Sequence, residues 1–271
     1  MRLLLAQLAP VPGEPERNVA RIADAVGAAP SDLAIFPELF LTGYRIGDRF
    51  HTLALRDGDG PSTEMARIAR DGGTTLVVGA AVASPERRGE VENAAVVVRP
   101  DGSFARQTKR YLPTFGPFEE GAIFTPTETS HPLPAAGHRV GLEICYDLFF
   151  PEVSRELGLG DAELLVGISS SPVTSRSLFE RVLPARAIEN SLPLVFVNRV
   201  GVEDGIVFGG GTGAWDARGE RLAGTEVPLA HAAEDERLER IDLDLAASAR
   251  WRPFRPVLRD VATRPPVAPG A

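Results

Sequence analysis

Short runs rich in valine, leucine and isoleucine recur along the whole chain: RLLLAQLA, DLAIFP, TTLVVGAAV, NAAVVVRP, RVGLEIC, AELLVGIS, PLVFVNRV, TGAWDA and ERIDLDL. Most are apolar at successive rather than alternate positions, the pattern of strands covered on both faces. Helical periodicity falls between several of them. EPERNVARIADAVGAA places Val19, Ile22 and Val26 on one face, with acidic residues early, where a helix dipole favours them. PSTEMARIARDGG offers Ser62 or Thr63 as a cap and Gly72 as a stop. SRSLFERVLPARAIENS reads as a third helix that Pro184 kinks or restarts. Asp101-Gly102 and Asp204-Gly205 mark hairpins. Strands alternating with helices, mixed with hairpins, imply layered α/β architecture with mixed sheets. No repeat or linker divides the chain, so residues 1–271 are expected to form one domain. From about residue 260 a Pro-rich tail is expected to be extended or disordered.

The formal net charge of −8 argues against a surface built for nucleic acid or anionic lipid. The N-terminal apolar run is broken by Gln7 and ended by Pro10, which suits a first strand better than a signal peptide. No segment approaches the ~18 apolar residues of a membrane span. A single cysteine excludes an internal disulfide and fits a reducing compartment, so a cytoplasmic location is expected.

That cysteine, Cys145, closes the run RVGLEIC and precedes Tyr146 and Asp147. A free cysteine often packs as a small hydrophobe. As a nucleophile it needs a base and an oxyanion partner. The histidines, His51, His131, His138 and His231, do not end buried strands, where a reactive group is held rigidly. Glu38 does follow a buried run, and Lys109 ends SFARQTKR. Strand ends are where α/β sheets gather their ligands.

Taken together, FPELFLTGY around Glu38, KRYLP at Lys109 and GLEICYDLFFPE at Cys145 resemble the nitrilase superfamily of carbon–nitrogen hydrolases, in the family's order. SSSPVTS, ARAIENSLPLVFVNRVG and FGGGTGAWDARGE extend the resemblance to about residue 245. It implies a four-layer αββα sandwich of two mixed β-sheets flanked by helices. It also implies a Glu38–Lys109–Cys145 triad, with Glu38 as proton relay. Lys109 and the Tyr146 backbone N–H would hold the oxyanion, and a thioester would form on Cys145. A second glutamate near the lysine is expected at Glu120 rather than Glu119. The implied activity is cofactor-independent hydrolysis of a small amide with release of ammonia. A nitrilase, an N-carbamoyl-amine hydrolase or a glutaminase-like subunit feeding a separate synthetase are the alternatives. Nitrilase members usually carry Trp-Glu after the cysteine, and Tyr146-Asp147 leans toward amides.

GGGTGA at 209–214 has the letters of a dinucleotide fingerprint but leads into a strand rather than a helix, so its glycines are read as close backbone approach. Paired metal-ligand spacings are absent from the sequence, and neither metal nor cofactor is expected. Tyr44 and Phe115 flank the candidate residues and are expected in the substrate pocket with Tyr146; Phe149 and Phe150 are expected to pack. Where carbamoylase- and ω-amidase-like members often carry arginine, this chain has Leu148 and Phe149, which points to neutral substrates. Arg176 is the nearby residue able to supply positive charge. The family habit of pairing subunits suggests a homodimer or larger homo-oligomer, with Arg250, Arg252, Arg255 and Arg259 in a clasping segment.

Overall fold

The computed structural model describes residues 1–224 and 235–263. The chain begins with β1 (Arg2–Gln7), α1 (Pro15–Ala28), β2 (Leu33–Ile35), α2 (Phe50–Leu53) and α3 (Gly60–Gly72). Next come β3 (Thr75–Ala83), β4 (Val91–Val98), β5 (Phe104–Thr108) and α4 (Glu120–Ile123). The second half supplies β6 (Leu133–Ala135), β7 (His138–Ile144), α5 (Pro151–Leu159), β8 (Leu164–Ser169) and α6 (Arg176–Asn190). It continues with β9 (Leu194–Asn198), β10 (Val200–Glu203), β11 (Ile206–Gly209), β12 (Gly213–Trp215) and β13 (Arg221–Gly224). Last are β14 (Arg237–Asp242), α7 (Leu245–Ala249) and α8 (Val257–Ala262).

Two six-stranded sheets result, ordered β14-β1-β2-β3-β4-β5 and β13-β12-β9-β8-β7-β6. In each, three central strands are parallel and the outer ones antiparallel, so both sheets are mixed. Side chains alternate across a strand, and this divides most apolar residues of the two sheets among three of the four hydrophobic clusters. Leu4, Ala6, Phe36 and Val78 turn outward onto Ile22 and Val26 of α1 and Met65 and Ile68 of α3. Leu3, Leu5, Ile35 and Val77 turn inward onto Leu142, Ile144, Val166 and Val197 of the second sheet. Leu165, Phe196 and Trp215 face outward onto Val153 and Leu157 of α5 and Phe179 and Leu183 of α6. This is the four-layer αββα sandwich, and continuously apolar strands are its sequence signature.

Both expected hairpins are present, β4–β5 and β10–β11. At the second, Asp204 and Gly205 take φ of 48° and 75°, the double left-handed turn that suits a twisted two-strand ribbon. The boundaries of α3 differ from expectation. Its cap is Asp59, whose carboxylate accepts from Ser62 N at 2.8 Å, and its stop is the left-handed Gly73. Gly72 is small for a different reason: a β-carbon there would meet Val26 Cγ1 at 2.8 Å. Pro184 does not restart its helix, since α6 runs through it. The carbonyl it leaves without a donor belongs to Glu180, an exposed residue that water can serve. Residues 260–262, expected in the tail, belong to α8, and 264–271 lie outside the described residues. Arg252 and Arg255 of the expected clasp donate to this chain's own Ala162 and Ala217 carbonyls, at 2.9 and 2.8 Å.

One glycine links the fold to the residues at the strand ends. Gly79 lies in the middle of β3, and a β-carbon there would sit 2.2 Å from the Pro37 oxygen and 2.4 Å from Glu38 Cα. These are backbone atoms and cannot swing aside. Gly79→Ala is therefore expected to cost about 1–3 kcal/mol and lower the melting temperature by about 3–10 °C, read by calorimetry. An unchanged melting temperature would show that the Glu38 loop yields freely.

Candidate active site

Glu38 emerges from β2 by way of Phe36, whose N–H continues the ladder to Val77 O at 2.8 Å. Lys109 follows β5, and its N–H continues the pairing with β4 at Asn93 O, 2.8 Å. Glu120 opens α4, its N–H tied to Pro113 O at 3.1 Å. The fold thus delivers three charged side chains to one buried point. Lys109 Nζ donates to Glu38 Oε1 and to Glu120 Oε1, each at 2.7 Å, and none of the three side chains is more than 3% exposed. Glu119, the alternative, points to solvent.

The remaining valences of the carboxylates are also filled. Asn93 Nδ2 donates to Glu38 Oε1 at 2.8 Å and to Glu120 Oε2 at 3.3 Å. Ser170 N donates to Glu38 Oε2 at 2.7 Å, and the Ser170 hydroxyl donates to the Glu38 carbonyl at 2.8 Å. Tyr44 is buried, and its hydroxyl donates to Glu120. Burial alone would lower the Lys109 pKa, but the charges of Glu120, Glu38 and Cys145 more than offset it and hold the ammonium above its ordinary value. Burial raises Glu120 further than Lys109 lowers it, and raises the Tyr44 phenol, to which Glu120 and Glu38 add.

Cys145 begins a tight helical turn, Cys145–Phe149, directly at the end of β7. Its φ of 50° is a left-handed conformation that costs a non-glycine residue of order 1 kcal/mol or more. Asp147 holds the turn in place. Its carboxylate accepts from Ile144 N at 3.2 Å on one side, and from Arg110 N at 3.1 Å and Tyr111 N at 2.8 Å on the other. The residue after Lys109 and the residue before Cys145 are thereby stapled to one side chain. Burial pushes the Asp147 carboxyl up to about 7, against the pull of Lys109 and these backbone donors. The Cys145 thiol is pushed well above its usual range by burial and by the charge of Glu38, while Lys109 and the Ser169 hydroxyl pull it back in part. At rest the sulfur therefore carries its proton.

Tyr146 is half-buried and edge-on to Phe115, ring centroids 5.3 Å apart. Phe115 is 53% exposed and also meets the Phe118 ring, centroids 5.8 Å apart. Phe149 packs edge-on against Phe179 at 5.0 Å, and Phe150 stacks on Tyr111 at 3.6 Å, both as packing groups. Arg176 is buried at the start of α6, its Nε 3.2 Å from Glu180 Oε1. His51 and His131 are exposed and His138 is half-buried beside Glu163, while His231 lies outside the described residues. The glycines of GGGTGA do mark close approach: a β-carbon on Gly210 would meet Gln7 Oε1 at 2.8 Å. Among the described residues no group of three or more His, Cys, Asp or Glu is placed to hold a metal ion.

Sequence reasoning did not single out Asn93, Ser170 or the stapling contacts of Asp147. Asn93 had a signal, being the lone amide in VENAAVVV.

Residues 2–250 match the family model described as carbon–nitrogen hydrolase. An (R)-stereoselective amidase from a Pseudomonas species is 32% identical over 90% of this chain and 85% of its own length. A glutamine-dependent NAD(+) synthetase from Thermotoga maritima is 33% identical over 92% of this chain, which spans only 43% of that protein. A solved amidase from Nesterenkonia sp. AN1, with acrylamide joined by Michael addition to its active site cysteine, is 29% identical. Its TM-score is 0.78, and the match covers 94% of this chain and 99% of that one. The chain belongs to the carbon–nitrogen hydrolase family. It is accordingly a hydrolase of C–N bonds.

A titrating group lies just beneath the cysteine turn. Glu143 of β7 is fully buried, accepts from the Ser154 hydroxyl, and is pushed up by burial to about 8 from an ordinary 4.5. The folded protein keeps that proton where the unfolded chain has lost it. The stability it contributes is thus full below 4.5 and is lost as the pH rises through about 8. Glu143→Gln, a neutral isostere, should melt several degrees above wild type at about pH 9 and match it near pH 5. Parallel melting curves for the two proteins across that range would contradict a protonated Glu143.

Proposed function

We propose that the protein hydrolyses a small amide through a thioester on Cys145 and releases ammonia. The observation that carries this reading is a buried ammonium, held between two carboxylates, beside a protonated thiol on a left-handed turn. A thiol that keeps its proton at rest needs a base at the moment of attack, and Glu38, whose charge acts on that thiol, is the group assigned to take it. Sulfur then bonds to the amide carbon, and the carbonyl oxygen becomes an oxyanion. Lys109 and the backbone N–H of Tyr146 are assigned to hold it. As the tetrahedral adduct collapses, Glu38 returns the proton to nitrogen, the C–N bond breaks and ammonia leaves. Water deprotonated by Glu38 then attacks the thioester, releasing the carboxylic acid and restoring the thiol. Glu120, which Tyr44 and Asn93 hold against Lys109, is assigned to keep the ammonium aimed and charged.

A second reading has one observation in its favour. The chain is 33% identical to part of a glutamine-dependent NAD(+) synthetase, which favours a glutaminase-like role supplying ammonia to a synthetase. Activity that rises severalfold on adding a synthetase would select it. We also read the protein as cytoplasmic, in keeping with its one free cysteine, and as a homodimer. Trp251 and Phe254 of the C-terminal segment and Leu159 of α5 are exposed apolar groups suited to a partner face.

Ammonia release should vanish in Cys145→Ala. It should fall by about 10³-fold or more, over ~4 kcal/mol, in Glu38→Gln, Lys109→Met and Glu120→Gln, with each variant folded by circular dichroism. Glu119→Gln should stay within about threefold of wild type. A Glu120→Gln enzyme of full activity, or a crippled Glu119→Gln, would remove Glu120 from the scheme. Light scattering should give twice the 29.0 kDa chain mass, and a monomer at micromolar concentration would end the dimer assignment.

A further inference from the structure

β7 and β8 run parallel and end together. Ile144 pairs with Ile168 at the last step of their ladder, so Cys145 and Ser169 come next on neighbouring strands, which lie about 5 Å apart. There the strands part ways. β7 breaks into the left-handed turn at Cys145, whereas β8 keeps its pairing with β9 through Ser169 and Asn198. The turn is seated on β8 because Gly167 is small: a β-carbon there would meet Leu148 Cδ1 at 2.9 Å. Backbone thus holds the cysteine turn and the end of β8 against each other.

Ser169 is fully buried, and its carbonyl accepts Arg199 N at 3.2 Å. Its hydroxyl, however, has no hydrogen-bond partner among the described residues at rest. The next residue differs, since both the N–H and the hydroxyl of Ser170 are engaged by Glu38. Buried polar groups are normally paired, and an exception calls for a reason. The reason lies with the sulfur. The Ser169 hydroxyl is near enough to Cys145 to pull the thiol pKa down, against burial and the charge of Glu38. A protonated thiol is a weak acceptor, whereas an ionised one draws a charge-assisted hydrogen bond. The acceptor that this hydroxyl lacks at rest is the form of the sulfur that exists only during reaction.

We propose that Ser169 is a further catalytic residue, whose hydroxyl donates to Cys145 Sγ while the sulfur is a thiolate. The assignment rests on Cys145 as the nucleophile of the amide-hydrolase reading, and in that scheme the contact forms twice. When Glu38 takes the thiol proton, the hydroxyl donates to the charged sulfur until the C–S bond forms and the charge moves to the carbonyl oxygen. When the thioester breaks, sulfur leaves with the electron pair of the C–S bond, and the hydroxyl donates again until Glu38 returns the proton. Ser169 keeps its own proton throughout. Its help goes to charge that the resting enzyme does not carry, so it acts on turnover rather than on substrate binding.

Ser169→Ala removes the hydroxyl and little else. Alkylation of Cys145 by iodoacetamide, followed by intact mass, reports the thiolate without any amide turnover. Its rate should fall about tenfold near neutral pH, with the pH profile displaced upward by about one unit. In ammonia release, kcat should fall about tenfold or more with KM within about threefold. Ser169→Thr, which keeps a hydroxyl, should recover most of both losses. Because the hydroxyl has no partner at rest, the melting temperature should not fall. Alkylation of Ser169→Ala within about twofold of wild type at every pH overturns the proposal. So does a melting temperature lowered by more than about 5 °C, which marks a structural hydroxyl. Slowed alkylation at an unlowered melting temperature supports it even where wild type releases ammonia from no amide, a result that would count against the amide-hydrolase reading alone.

Discussion

Lys109 has been taken entirely out of water, and its ammonium lies 2.7 Å from each of two carboxylates that are buried with it. Stripping three ions of their hydration costs several kcal/mol apiece, and attraction among them offsets this only where geometry is good and every remaining lone pair is bonded. That requirement explains most of what surrounds the lysine. Asn93 spans both carboxylates from β4, Ser170 closes the second oxygen of Glu38 from β8, and Tyr44 closes Glu120 from the loop after β2. Elements of both sheets must be in register before the charges are satisfied. The site is therefore the most exacting test of whether the sandwich has closed correctly.

A second buried ion pair stands behind the first. Arg199 is 1% exposed, donates to Glu203 and lies over the Phe208 ring at 4.0 Å. Burial lowers its pKa, and the charges of Glu203 and, more weakly, Glu38 counter that. The Glu203 carboxylate accepts Tyr44 N at 3.0 Å and Arg45 N at 2.6 Å. The β10–β11 hairpin thus grips the backbone of the loop whose tyrosine grips Glu120. The hairpin is thus linked to the lysine through Glu203, Tyr44 and Glu120.

The layered fold could be read from the sequence because strands covered on both faces need apolar residues at successive positions, and RLLLAQ and TLVVGAAV have them. Glu38, Lys109 and Cys145 stood out because a charged or reactive residue directly after such a run has little freedom over where it points. What escaped notice depends on long-range pairing. Asp147 meets Arg110 and Tyr111 across more than 30 residues, and no local pattern encodes that meeting. Asn93 was hidden because a lone amide among valines reads as an imperfection of the strand. The α3 boundaries were misplaced by competition among neighbours: Asp59, Ser62 and Thr63 are all plausible caps, and geometry chose the one upstream of the helix. Glu120 and Glu119 are chemically alike, and the turn of α4 decides which one faces inward.

The first sheet is completed by a strand from the far end of the chain. β14 lies antiparallel along β1, pairing Arg2 with Asp242 through to Gln7 with Arg237, and the Met1 ammonium donates to Leu243 O at 3.1 Å. A ribosome makes β14 more than two hundred residues after β1. For nearly all of synthesis, one hydrogen-bonding edge of the apolar β1 is without its native neighbour. An open edge of that kind recruits whatever strand is nearest. The nascent protein thus passes that interval with its first sheet unfinished.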